Sequence, residues 1–145
     1  MKRALALAVL LAFATPARAQ TPVVQVVFMT AEWCPNCAAL RPELDRAITR
    51  VEGAARIDMD VTNSARRAQS REIAAANNVL AQHDAWIGRT GFAAIVDAAT
   101  HRTLGCVTAA WSAPEIEGAL RTAVWNARHR GDRNERRVPL SDCPD

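Results

Sequence analysis

The chain has no long apolar run outside its first residues: only Ala4 to Ala14 is continuously apolar, about half of the ~20 residues needed to cross a bilayer. Stable membrane insertion is therefore not expected. Internal repeats and low-complexity segments are also missing, which argues against a solenoid or a disordered polar chain. There is no second CxxC to join the one at Cys34 and Cys37, so a closed four-thiolate metal site lacks half its ligands. No proline falls between Pro42 and Pro114. What is present is 145 residues with 50% hydrophobic against 23% charged content, enough for one domain with a real core.

Lys2 and Arg3 precede the apolar stretch, and Ala17-Arg18-Ala19 forms a small-x-small site ahead of Gln20. Residues 1–19 are expected to be a secretory signal peptide, the alternative being an uncleaved anchor. Their removal takes three of the 18 basic residues and none of the 15 acids, which leaves the remainder nominally neutral. The basic sequence pI of about 9.0 belongs in part to the leader, and no nucleic-acid partner is expected. A periplasmic or secreted location follows from the leader, and such compartments let disulfides persist. All four cysteines, Cys34, Cys37, Cys106 and Cys143, lie beyond it. Two bridges have three possible connectivities, and the sequence alone does not choose.

Val23 to Met29 is β-branched and nearly continuous, as in a strand buried on both faces. It runs straight into WCPNC, residues 33–37. Beyond Pro35 the apolar positions Cys37, Leu40, Leu44, Ala47, Ile48 and Val51 recur at helical spacing until Gly53. A strand over Ala55 to Met59 and a helix from about Ala65 to Leu80, capped by Asp60 or Asn63-Ser64, come next. Strands at Phe92 to Val96 and Thr103 to Val107 flank a turn short enough for an antiparallel hairpin. Pro114 opens a last helix with Ile116, Leu120, Ala123 and Val124 on one face. Residues 20–127 are read as one domain and 128–145 as an arginine-rich tail, with Arg128, Arg130, Arg133, Arg136 and Arg137, solvated in the simpler reading and touching anionic surfaces in the other.

A sulfur reacts as thiolate, so a working cysteine needs its pKa lowered from about 8.5. Cys34, at the first turn of the helix, faces unpaired backbone N–H groups and the positive end of the helix dipole. Cys37, one turn later on the same face, can reach it. Pro35 suits that first turn because it has no N–H to leave unpaired. Trp33 and Asn36 complete the surroundings. Cys34 is thus expected to attack and Cys37 to resolve, in an exchange carried by two sulfurs with no cofactor and no bound metal.

The stretch FMTAEWCPNCAALRPELDRAI resembles the active-site segment of the thioredoxin superfamily, down to the proline five residues after the second cysteine. Pro42 is the most telling match, being otherwise unwelcome inside a helix. The resemblance covers roughly residues 23–127. It implies an α/β thioredoxin-like fold, a central mixed four-stranded sheet flanked by helices, and thiol–disulfide oxidoreductase activity on protein dithiols or disulfides, with an unidentified redox partner protein. Whether the chain reduces, oxidises or isomerises is left open.

Several departures from the family stand out. With no cis-proline ahead of the third strand, Thr90 or Gly91 is expected to take its place. Phe28 occupies the position of the buried acid that serves the resolving cysteine; Glu32 is either a partial substitute or, more simply, an exposed charge. The family's extra N-terminal strand and helix are not expected. The connection over Leu80 to Arg89 is read as an inserted loop, in which His83 either reaches the active site, as imidazolium or proton shuttle, or is merely solvated.

Two rival uses of the pair remain. Cys34, Cys37 and His83 could form a copper or zinc carrier site, or the fold could serve as a redox-inert binding module. Cys106 and Cys143 are expected to form a structural disulfide tying the tail across the sheet, with a second electron-relay pair as the alternative. Trp33 is expected to shield the disulfide beside it, and Trp86, Trp111 and Trp125 to pack in core or rim.

Overall fold

The computed structural model describes residues 21–131 and 135–145, so the leader reading of residues 1–19, and Arg133 of the tail, lie outside the described residues. The elements run β1 (Val24–Thr30), α1 (Pro35–Ile48), β2 (Ala54–Asp60), α2 (Ser64–Ala76), α3 (Leu80–Trp86), β3 (Phe92–Asp97), β4 (Thr103–Thr108) and α4 (Ala113–Arg128). The strands form one sheet in the order β2-β1-β3-β4. β1 is parallel to β2 and antiparallel to β3, and β3 is antiparallel to β4.

β1 lies inside the sheet and is buried at every residue, which is why its sequence reads as an unbroken apolar run rather than an alternation. Its side chains divide the core in two. Val24, Val26 and Phe28 face a cluster with Leu40 and Leu44 of α1 and Ile116 and Leu120 of α4. Val27 and Met29 face the other way, toward Ala74 of α2, Val79, and Phe92 and Val96 of β3. Within α4, Ile116, Leu120, Ala123 and Val124 are all buried, as their spacing predicts. Pro42 sits inside α1, where it has no N–H to donate to the preceding turn.

The helix expected over residues 65–80 is α2 and ends earlier, at Ala76, with α3 beginning at Leu80. Asn63 caps α2, its side chain accepting from the Arg66 amide at 3.0 Å. The helix stops at Ala76 because Asn77 turns its own amide back to the Ile73 carbonyl (2.8 Å) and Asn78 takes a left-handed φ of 58°, a conformation asparagine tolerates better than most residues. The expected loop over Leu80 to Arg89 is likewise mostly helix, since α3 fills Leu80–Trp86. Gln82 anchors it to the hairpin through the His101 carbonyl at 2.8 Å.

The tail is not a free solvated end. Ser141 forms an antiparallel bridge with Cys106 of β4, with amide-to-carbonyl distances of 2.9 and 3.2 Å. Val138 and Leu140 pack against the core. Leu140 fits there because Gly105 of β4 has no side chain: a Cβ on Gly105 would lie 2.5 Å from that of Leu140. Two of the arginines are anchored as well, with the Arg136 guanidinium 4.4 Å from the Trp125 ring centre and Arg130 bonded to both carboxylate oxygens of Asp97 at 2.7 and 2.6 Å.

Asp97 also accepts from the amides of Ala99 and Thr100, each at 2.9 Å, and so caps the β3–β4 turn. Burial alone would raise its carboxyl, but the hydrogen bonds from Arg130, Thr100 and Ala99 and the Arg130 charge outweigh that and hold it below its usual value. A depressed carboxyl contributes its stability fully above the unfolded pKa of about 3.9 and loses it as pH falls through the lower folded value. Asp97→Asn is therefore expected to cost about 1–3 kcal/mol at pH 7 and to flatten the fall in stability below about pH 4. Urea midpoints measured across that range check it; an unchanged acid limb contradicts it.

Candidate active site

The reactive segment is held from two sides. Where β1 ends, the Glu32 amide donates to the Thr62 hydroxyl at 2.9 Å and the Trp33 indole N–H to the Thr62 carbonyl at 3.2 Å. The Cys34 amide closes the turn on Ala31 at 3.2 Å. Trp33 itself is 60% exposed, so its ring forms part of the rim beside the sulfurs rather than a buried cover.

Cys34 is the N-cap of α1, with extended φ and ψ of −99° and 106°, and Pro35 begins the helix. Its Sγ accepts the Cys37 amide at 3.1 Å. A capping side chain normally satisfies one of the free N–H groups of the first turn with oxygen; here sulfur does so. When Cys34 is a thiolate, the same bond becomes charge-assisted and the helix dipole adds to it, so both favour the anion. Cys34 and Cys37 are joined as a disulfide with Cα atoms 5.2 Å apart. Cys34 is 6% exposed and Cys37 2%. The Cys37 Sγ lies 3.7 Å from the Met29 carbonyl, an acceptor for its proton in the dithiol form.

Opposite the disulfide stands Gly91, at the place where the family resemblance implies a cis-proline. Its φ is +90° and its amide donates to the Met29 carbonyl at 3.0 Å. A Cβ there would lie 3.6 Å from the Cys34 Sγ and 3.0 Å from the Asn36 Cβ. Proline fits this position in neither respect, since its φ is locked near −65° and it has no N–H to donate. Thr90, half-buried, precedes it. Gly91→Ala is expected to cost about 1–3 kcal/mol from backbone strain and to slow reduction of Cys34–Cys37 by dithiothreitol, because the added methyl crowds Asn36 and covers the Cys34 sulfur it would touch. A urea titration and a stopped-flow reduction measure the two effects; unchanged values in both contradict the placement.

A cleft of about 230 Å3 beside the sulfurs is lined by Thr30, Ala31, Glu32, Cys34, Cys37, Ala38, Arg41 and Asp60. Phe28, at the position of the family's buried acid, is fully buried, and the Arg41 guanidinium lies 5.0 Å from its ring centre, within cation–π range. Arg41 reaches Asp58 at 3.0 Å and the Thr30 hydroxyl at 3.1 Å. Burial would raise the Asp60 carboxyl, yet hydrogen bonds from the Thr62 hydroxyl and amide and the charges of Arg66 and Arg41 hold it below its usual value. Asp60 therefore stays ionised, one acid beside the sulfurs where the buried acid is missing. Glu32 is exposed, with Arg66 at 4.0 Å. The sequence reading missed Arg41 and Asp60. The signal was there: Arg41 is four residues after Cys37, hence on the same helix face, and Asp60 pairs with Thr30 at the ends of their strands.

His83 is neither a loop residue nor solvated. It lies in α3 with no exposed surface, its Nδ1 is 2.8 Å from Asp84, and it does not line the cleft. Among the described residues no group of three or more His, Cys, Asp and Glu side chains is placed to hold a metal ion, so Cys34, Cys37 and His83 are not gathered into one site. Cys106 and Cys143 are bonded to each other, with Cα atoms 4.9 Å apart. Among the described residues no helix is long and apolar enough to cross a membrane.

A mixed four-stranded sheet with a bonded CxxC pair at the N-terminus of the helix after its inner parallel strand defines a thiol–disulfide exchange fold. The family model described as Thioredoxin matches residues 12–84, half of the chain and every element from β1 through most of α3. The chain belongs to the thioredoxin family. Searches of curated proteins and of solved structures gave no match. Family and paired cysteines together point to thiol–disulfide redox activity, and proteins of this kind act on protein disulfides.

Proposed function

We propose that the chain is an exported thiol–disulfide oxidoreductase in which Cys34 is the nucleophile and Cys37 the resolving thiol. The observation that carries this is the Cys34 Sγ at the helix N-cap, accepting the Cys37 amide at 3.1 Å. The Cys34 thiolate attacks one sulfur of a substrate disulfide, the substrate S–S bond breaks, and one substrate thiolate leaves. Cys37, its proton given up to the cleft, then attacks the Cys34 sulfur, forms the Cys34–Cys37 bond and releases the second substrate thiolate. Two electrons have passed from the protein dithiol to the substrate. Run in reverse, the same steps oxidise a substrate dithiol. A redox partner protein restores the starting form.

Export is supported by the basic start, the apolar stretch and the Ala17-Arg18-Ala19 site, and by a second disulfide, which an oxidising compartment preserves. Expression of the full chain in a secreting bacterial host is expected to give mature protein beginning at Gln20; a full-length mass would contradict the leader. Direction follows from the potential of the Cys34–Cys37 couple, near −270 mV for a thioredoxin-like reductant and near −120 mV for a strong oxidant. The mechanism is tested with Cys37→Ser, which is expected to accumulate a mixed disulfide between Cys34 and substrate that is resolved only by added dithiol. Trapping through another cysteine, or none, would overturn the assignment.

A further inference from the structure

The second disulfide and the active site meet at Trp86. This residue closes α3, its indole N–H donates to the Pro144 carbonyl at 3.0 Å, and its ring packs edge-on against Phe92 with centres 5.5 Å apart. Pro144 directly follows Cys143, whose bond to Cys106 fixes the tail on β4. Phe92 directly follows Gly91, which stands against the Cys34 sulfur, a Cβ there lying 3.6 Å from it. On either side of residues 87–91, of which Gly91 lies against the disulfide, stand the two rings, Trp86 and Phe92. One of them is pinned by the tail.

A bond that only stabilised the fold would need no contact with this segment. Trp86, however, is half-buried and uses its single donor on the tail, while beyond it Ile87, Gly88 and Arg89 are exposed and the Arg89 amide donates back to the Trp86 carbonyl at 2.9 Å. Fixing Trp86 therefore limits where residues 87–91 can go. With Cys34 only 6% exposed, the position of Gly91 decides how an incoming sulfur approaches.

We propose that Trp86 is a positioning residue through which the Cys106–Cys143 disulfide sets the reactivity of Cys34–Cys37. The proposal rests on the redox reading of that pair, and it makes the remote disulfide a part of the reaction as well as a staple.

The test uses the full chain and three variants: Trp86→Phe, which keeps an aromatic ring but loses the N–H; Cys106→Ser with Cys143→Ser; and all three changes together. The rate of Cys34–Cys37 reduction by dithiothreitol and the pH profile of iodoacetamide labelling at Cys34, read by peptide mass, are measured for each. Removing the N–H or the bond is expected to speed reduction by the same factor, on the order of two- to thirtyfold. The combined variant is expected to show no further change, since both alterations cut one connection. A lowered unfolding midpoint with unchanged rate and labelling profile would overturn the proposal, as would additive effects. Trp86→Phe retains the staple and so decides the matter even if the serine variant folds poorly. Failure of the redox reading looks different: Cys34 would then be unreactive in the unaltered chain.

Discussion

Replacing Cys34 by serine is expected to lower disulfide exchange by on the order of a thousandfold or more, because a hydroxyl at the helix N-cap is not ionised near neutral pH and cannot attack sulfur. The fold should survive, since serine is a better N-cap than cysteine and accepts the Cys37 amide in the same way. Cys37→Ser is expected to fail at a later stage, with the first attack intact and the mixed disulfide persisting. That contrast separates an asymmetric pair from two interchangeable thiols. Equal losses of the first, bimolecular step in the two variants would contradict the roles assigned to them.

Removing the Cys106–Cys143 bond is expected to have the largest effect on stability. It closes a loop with a sequence separation of 37, for which the chain-entropy account gives about 3–4 kcal/mol. In a domain of this size that lowers the thermal midpoint by on the order of 10–15 °C. The two backbone hydrogen bonds between Cys106 and Ser141 and the packing of Leu140 over Gly105 would then have to hold the tail without a covalent link. Calorimetry of the variant with Cys106→Ser and Cys143→Ser measures the shift; a change of only a degree or two would mean that the tail is held without the bond. Mass mapping under mild reduction is expected to show Cys34–Cys37 opening first. The reverse order would favour the electron-relay reading of the second pair.

The inner strand, the motif helix and the last helix were legible because each is governed by a single physical requirement. β1 is buried on both faces and reads as a continuous apolar run; α1 and α4 bury one stripe each and read at helical spacing. The reactive pair was legible for a related reason, since the N-terminus of a helix following such a strand is where backbone N–H groups are free. The break after Ala76 was not, because it depends on Asn77 folding back and on Asn78 accepting a left-handed φ, which compete with a helical pattern that continues to Leu80. His83 looked like a loop residue for the same reason. The tail misled through composition: its arginines suggested solvent, while Arg130 is received by Asp97 on a strand far away in sequence and Arg136 by Trp125 of the preceding helix. Arg41 and Asp60 depended on how a helix face meets a strand end, which periodicity along one element does not reveal.

The account stands on an acidic sulfur at position 34. In the reduced protein, the iodoacetamide labelling rate of Cys34 against pH is expected to titrate well below the free-thiol value of about 8.5, within the range of about 3.5–7.5 found for thiols at helix N-termini, while Cys37 labels far more slowly. A Cys34 that labels no faster at mildly acidic pH than the same residue in the unfolded chain would contradict it.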